Sequence, residues 1–323
     1  MPDSPADCAS PADWPFLDRR FVLVTGKGGV GKSTVTALLA RLYAQAGKRT
    51  LVCELNTQER IPGLFGHDDV GGTVTPIAEN LWSVNIDPAQ AMEEYGVMKL
   101  RFRALYRVVF NNPLVQRLVR FVPGMNDLLM FGKAFNHERE TDSAGRPAWD
   151  AIIVDAPATG HGISFFRLPR IIRDAVPAGN LHREAEEMWS LMSDPARTVV
   201  HLVTLPEELP VRETQELHQR LRHELGVPLG SLFLNMWPPP ALDAAQQAHF
   251  ERLTARPTDP ALALLWATTR IRLGREHLAS HYLQELEALG LPLVKLPTLY
   301  TTDFGPAEVD ALARTACTQE PPP

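Results

Sequence analysis

The chain has 323 residues, 45 % of them hydrophobic, and a formal net charge of −6. That length supports one large core or two modest ones. Mild acidity argues against a nucleic-acid surface. No run of about 18 uncharged apolar residues offers a membrane span, so a cytoplasmic protein without a stable membrane anchor is expected. Cys8, Cys53 and Cys317 are widely spaced, with no C-x-x-C, which excludes a disulfide framework and suits a reducing compartment.

In chain order, residues 1–19 are acidic and proline-rich with no apolar core, which reads as a disordered leader and not a signal peptide. "RFVLVTG" (20–26) is a β-branched apolar run ended by glycine, hence a buried strand. A helix follows as far as Gly47. Strands are expected at 50–55 and 81–87. Residues 88–140 hold no strand candidate but three helical runs, broken at Pro113 and at Pro123-Gly124. They read as a helical insertion at the sheet edge. A strand over 148–157 precedes a second helical excursion at 163–193. Strands at 196–206, 230–235 and 291–297 then alternate with helices at 209–225 and 270–289, and 315–323 reads as a disordered tail. The alternation predicts one α/β domain over 20–314, a doubly wound and mostly parallel sheet covered by helices on both faces.

The densest signal is "GKGGVGKS" (26–33), which matches G-x-x-x-x-G-K-[ST] between an expected strand and an expected helix. Gly26, Gly28, Gly29 and Gly31, with Val30 between them, let backbone N–H groups turn inward around phosphates at a helix N-terminus. Lys32 then sits against the β- and γ-phosphates, Ser33 holds Mg²⁺ through its hydroxyl, and Thr34 meets the α-phosphate. Lys27 is a second lysine in the loop. At its second position it is poorly placed for its own nucleotide and well placed for one held by a facing subunit, where a cation stabilises charge on the transferring phosphoryl group. Further on, "AIIVDAPATGHG" (151–162) delivers Asp155 to a strand end, where a carboxylate can hold a water of the Mg²⁺ shell. The following stretch is stiff at Pro157 and loose at Gly160 and Gly162, so it can move as a unit.

With "GKGGVGKST", "DAPATGH…FFRLP", "VPGMNDLLMFGK" (122–133), "SDPARTVVHLVTLPEELPVRETQEL" (193–217) and "VKLPTLY" (294–300), the sequence resembles the ArsA-like P-loop ATPases with a deviant Walker A motif. These are the arsenite-pump and tail-anchored-protein-targeting ATPases, and the likeness runs from about residue 20 to about 313. The resemblance implies ATP hydrolysis with Mg²⁺ by a dimer that closes around nucleotide and binds a protein client. It makes Lys27 the intermolecular lysine, Lys32 the Walker lysine and Asp155 the second-switch aspartate. It puts Asn235 where the family reads adenine, and Pro297, within "LPTL", on the loop that closes over the base.

Three departures stand out. Where the family carries an aspartate that orients or deprotonates the attacking water, this chain offers Asn56, and a carboxamide cannot take a proton. Glu54 is the first choice for the missing carboxylate, because alternation puts it on the side of Asn56; Glu59 is the second. Secondly, neither a zinc nor an arsenite site is expected, since no cysteine lies between Asn235 and Leu296; Cys53 reads as a small core residue. Thirdly, the client region is reduced. Met92, Met98, Met125 and Met130, with Phe102, Phe110, Phe121, Phe131 and Phe135, form either an adaptable client surface on 88–140 or plain core. The arginines 101, 103, 107, 117 and 120 make this segment locally basic. Two functions follow: an ATP-hydrolysing dimeric switch, or a weakly active ATP-binding subunit that works in a heterodimer with a related ATPase.

Overall fold

The computed structural model describes residues 14–55, 58–88, 91, 125–157, 162–175, 178–252 and 258–319. Eight strands make one sheet: β1 (Phe21–Gly26), β2 (Thr50–Glu54), β3 (Thr75–Ala78), β4 (Leu81–Asn85), β5 (Ala151–Asp155), β6 (Thr198–Thr204), β7 (Leu229–Trp237) and β8 (Leu293–Pro297). Their order is β3-β4-β2-β5-β1-β6-β7-β8. Every pairing is parallel except that of β3 with β4. The helices are α1 (Lys32–Gln45), α2 (Ile61–Leu64), α3 (Met125–Arg139), α4 (Gly162–Ala175), α5 (Asn180–Ser193), α6 (Glu208–Gln219), α7 (Ala244–Glu251), α8 (Pro260–Glu287) and α9 (Pro306–Thr318). This is the doubly wound α/β sheet that the strand–helix alternation predicts.

The central strands are apolar on both faces because helices cover both. Along β1, Val22 and Val24 join a cluster with α1 and α9, while Phe21 and Leu23 join one with α3, α5 and the π-helical segment Arg220–Leu225 that continues α6. Cys53 on β2 is fully buried in the second cluster, and burial raises its thiol pKa, as befits an inert core residue. Gly47, the expected helix stop, follows α1 with φ 77°.

Several expectations need correction. The disordered leader does not extend to residue 19. Trp14 and Leu17 are buried, Trp14 stacks on Phe233 with centroids 6.0 Å apart, and the Tyr43 hydroxyl donates to the Phe16 carbonyl at 2.5 Å. Aromatic burial outweighs the proline-rich composition there. Nor is 315–323 all tail: α9 runs to Thr318, Ala316 is fully buried, and the Gln319 amide donates to the Lys295 carbonyl at 2.6 Å. Strand β3 was not foreseen, because four residues with Pro76 among them and only Ile77 buried give no alternation to read. Helix α8 starts at Pro260, ten residues before the expected start. Asp259 caps it, accepting from the N–H groups of Ala261 and Leu262 at 2.9 and 3.0 Å.

In the first insertion, α3 starts just after Pro123-Gly124, as the break predicts. Its Met130, Phe131 and Phe135 are buried, and Phe131 meets Phe21 edge-on at 5.8 Å. For these three side chains the plain-core alternative holds. Met92, Met98, Phe102, Phe110 and Phe121, with the five arginines, lie outside the described residues. The second excursion is the helix pair α4 and α5.

Trp14→Ala should destabilise the protein by about 3–5 kcal/mol in urea unfolding, the range for truncating a buried tryptophan. An unchanged midpoint would show that the segment before β1 is not part of the core.

Candidate nucleotide-binding site

The site lies at the carboxyl end of the sheet, where parallel strands leave a crevice. β1 runs in register with β6 as far as Gly26 opposite Val203. At Gly26 a side chain is impossible: an added Cβ would stand 2.3 Å from the Val203 carbonyl oxygen. The chain then turns through Gly29 (φ 85°) and Gly31 (φ 93°), left-handed conformations that glycine adopts without strain. α1 starts at Lys32, so its free N–H groups face the turn.

The two lysines differ in environment. Lys32 is buried, and its Nζ donates to the Lys27 carbonyl at 3.1 Å across the loop. Burial lowers its pKa, against the opposing pull of Asp155. An anion in the loop would add to the countercharge that Asp155 already provides. Lys27 turns its side chain outward and pairs with Glu213 of α6, Nζ to Oε1 at 2.9 Å.

Asp155, last residue of β5, is fully buried. It accepts the Ser33 hydroxyl at 2.7 Å and the Thr36 hydroxyl at 3.3 Å. Burial raises its pKa, and the bonds to Ser33 and the charge of Lys32 work against that rise. Ser33 and Asp155 thus bring two hard oxygen donors together at the helix start, a donor set that suits Mg²⁺. On the neighbouring strand Glu54 is registered opposite Asp155. Its carboxylate is also fully buried and accepts the backbone N–H groups of Arg60 at 2.9 Å and Ile61 at 3.2 Å. Burial outweighs these bonds and pushes its pKa up to about 7. Glu59 instead ties down a loop, accepting from Val70 and Gly71 N–H at 2.6 and 2.9 Å and from the Asn85 amide at 3.3 Å. Asn56 lies outside the described residues.

Asn235 on β7 packs under the loop, its amide donating to the Val30 carbonyl at 3.0 Å. A Cβ at Gly31 would come within 2.1 Å of that amide nitrogen. Pro297 ends β8 and is paired with Trp237. Beside these strand ends opens a cleft of about 840 Å³, whose walls include Pro206, Met236, Thr298, Tyr300 and the α8 residue Leu278. The structure therefore gathers Gly26 to Thr34, Glu54, Asp155 and Asn235 at one end of the sheet. Glu213 was missed by sequence reasoning. It lies 186 residues from Lys27, and no local pattern announces an ion pair across that separation.

Among the described residues no three His, Cys, Asp or Glu side chains cluster as a metal group, and no helix is long and apolar enough to cross a membrane. Residues 19–178 match the family model described as anion-transporting ATPase. The chain is 32 % identical over 311 residues to the ATPase BagA of Mycobacterium tuberculosis (strain ATCC 25618 / H37Rv), covering 90 % of this chain and 91 % of that protein. It is 26 % identical over 268 residues to a putative arsenical pump-driving ATPase of Halobacterium salinarum, covering 78 % of this chain and 40 % of that one. Identity to the ATPase GET3 of Kluyveromyces lactis is 27 % over 158 residues, 46 % of this chain and 45 % of that one.

Gly31→Ala should destabilise the protein by at least about 1–2 kcal/mol, the penalty for an L-residue in the left-handed region, with the clash added. In thermal unfolding the double variant with Asn235→Ala should lose less than the sum of the two single losses. Strict additivity would mean that the loop and Asn235 are not in contact.

Proposed function

The chain belongs to the anion-transporting ATPase family, and from that premise we propose that it is an ATP-hydrolysing switch. Two subunits close face to face over Mg·ATP, and the closure is coupled to binding a protein partner. The observation that carries this reading is the meeting of a buried, desolvated Lys32 ammonium with the Ser33–Asp155 pair at a left-handed glycine turn. A triphosphate adds negative charge beside the desolvated ammonium.

In this reading the loop's backbone N–H groups and Lys32 hold the β- and γ-phosphates. Ser33 directly, and Asp155 through water, would hold Mg²⁺, which neutralises charge on the phosphate oxygens when bound. Asn235 is oriented by its bond to the Val30 carbonyl, which leaves its Oδ1 to accept from the exocyclic amine of adenine. The cleft near Pro297 has ample volume for the base and ribose. Lys27 serves the nucleotide of the facing subunit. To do so it must leave Glu213, and this costs little: the side chains are 28 % and 40 % exposed, and such a pair contributes about 0–1 kcal/mol.

Glu54 takes the part of the general base. A carboxylate titrating near neutrality is matched to accepting a proton from water. Both of its oxygens already accept one backbone N–H, and each keeps a further lone pair. That prior engagement also favours a second reading, a slow ATP-binding subunit that turns over well only beside a related ATPase.

Lys32→Ala should weaken ATP binding about tenfold or more in titration calorimetry, the loss of charge-assisted bonds worth about 1.5–3 kcal/mol. Lys27→Ala should leave that affinity intact and lower kcat about 10²–10³-fold, the range for one lost charge-stabilising donor. Equal loss of affinity in both variants would place Lys27 on its own nucleotide and sink the trans role.

Only the deprotonated form of Glu54 can act as base, so kcat/KM should rise with pH through about 7 and level above it. Glu54→Gln should flatten that rise and lower turnover about 10²-fold. A wild-type profile in the Glu54→Gln chain, or turnover that appears only on adding a related ATPase, would support the second reading.

A further inference from the structure

The strand order gives the nucleotide site a direction. The phosphate loop leaves β1; Asn235 lies two strands away on β7, and Glu54 lies two strands away on the opposite side, on β2. A nucleotide whose base meets Asn235 therefore carries its terminal phosphate toward the ends of β5 and β2. The chain that leaves β2 brings one more cation to this end of the site, Arg60.

The backbone of Arg60 is held while its side chain stands exposed. Its N–H donates to the Glu54 carboxylate at 2.9 Å, and its carbonyl accepts the Leu64 N–H at 3.2 Å. The next residue, Ile61, is fully buried in the cluster that contains Val35 and Leu38 of α1. Glu54 is in register with Asp155, so one carboxylate separates the Arg60 backbone from the Ser33–Asp155 pair. A solvated surface charge is screened within about 10 Å at ordinary salt, yet the charge of Arg60 acts on two buried groups. Burial lowers the Lys32 pKa, Asp155 opposes that, and Arg60 adds to the lowering. Burial raises the Asp155 pKa, and Arg60 is among the groups that oppose the rise. Lys32 and Arg60 thus repel each other across the site, and an anion placed between them attracts both.

We infer that Arg60 pairs with the terminal phosphate of the nucleotide held by its own loop and so sets the preference for a triphosphate over a diphosphate. This role rests on the nucleotide reading and adds a specificity to it. Lys32 and the loop N–H groups meet phosphates that a diphosphate also presents, whereas Arg60 comes from the β2 side, where only the terminal phosphate arrives. A guanidinium is a planar fork of N–H donors that fits two oxygens of one phosphate, which a lysine cannot match. Because Glu54 holds the Arg60 backbone, the carboxylate and the guanidinium come to the terminal phosphate as one unit. Loss of that phosphate removes the partner of Arg60 and leaves the Lys32 contacts in place.

The test is titration calorimetry of the full chain with Mg²⁺ and either ADP or the non-hydrolysable triphosphate adenylyl imidodiphosphate. Arg60→Ala should lower affinity for the triphosphate about tenfold or more and change that for ADP by less than about twofold, the scale of losing charge-assisted bonds to one phosphate. Arg60→Lys should recover part of the loss, since it restores the charge without the fork. The melting temperature without nucleotide should stay unchanged in both variants, because the side chain is exposed and the bond to Glu54 comes from the backbone. Comparing the two nucleotides on one sample cancels any loss of folded protein. A wild-type chain that binds neither nucleotide would remove the nucleotide reading and this role together. A wild-type chain that binds both, with Arg60→Ala weakening them equally or weakening neither, would remove this role alone.

Discussion

Two contacts beneath the phosphate loop leave no room for a side chain, and the rest of the site depends on them. Gly26 lies against the Val203 carbonyl of β6, and Gly31 lies against the Asn235 amide of β7. The loop is thereby pinned at its start and at its end to two strands that arrive from distant parts of the sequence. With both ends fixed, the residues between have one way to turn, and the turn delivers Lys32 to the first position of α1. A close-packed interior transmits such constraints because it cannot absorb even a methyl group without displacement.

The same sheet that pins the loop sets the electrostatics above it. β2 and β5 are parallel neighbours in register, so Glu54 and Asp155 end side by side, both fully buried. Burial raises both pKa values, yet their partners differ. Asp155 receives two hydroxyls and the Coulombic pull of Lys32, which keep its charged form useful for a cation. Among the described residues Glu54 accepts from the backbone N–H groups of Arg60 and Ile61, and burial pushes its pKa up to about 7. Two carboxylates at equivalent strand ends are thus suited to different chemistry by what donates to them.

Features that depend on local pattern were legible in the sequence. "GKGGVGKS" between strand and helix located the loop, and four apolar residues before Asp155 located the strand end beside it. The parallel sheet followed from the alternation of elements. What failed was either too short or too distant to leave a local trace. β3 has four residues and one buried side chain. Trp14 belongs to the core through a ring stack with Phe233, more than two hundred positions away, and composition there points the other way. The early part of α8 lacks the one-sided amphipathic period that reveals a helix, because both an inner and an outer face are apolar. The Lys27–Glu213 pair is a property of the folded surface alone.

That pair bears on why one loop carries two lysines. Lys32 is committed: it is buried, closed over the Lys27 carbonyl, and surrounded by the start of α1. Among the described residues Lys27 is held by one half-exposed carboxylate on a different element, an interaction of about 1 kcal/mol at most. A charge-assisted bond to phosphate is worth roughly 1.5–3 kcal/mol, so the exchange of Glu213 for a phosphate oxygen runs downhill once such an oxygen is within reach. The burial difference alone therefore separates the two side chains: Lys32 is fixed inside its own loop, and Lys27 lies at the surface in a pair that a competing anion can displace.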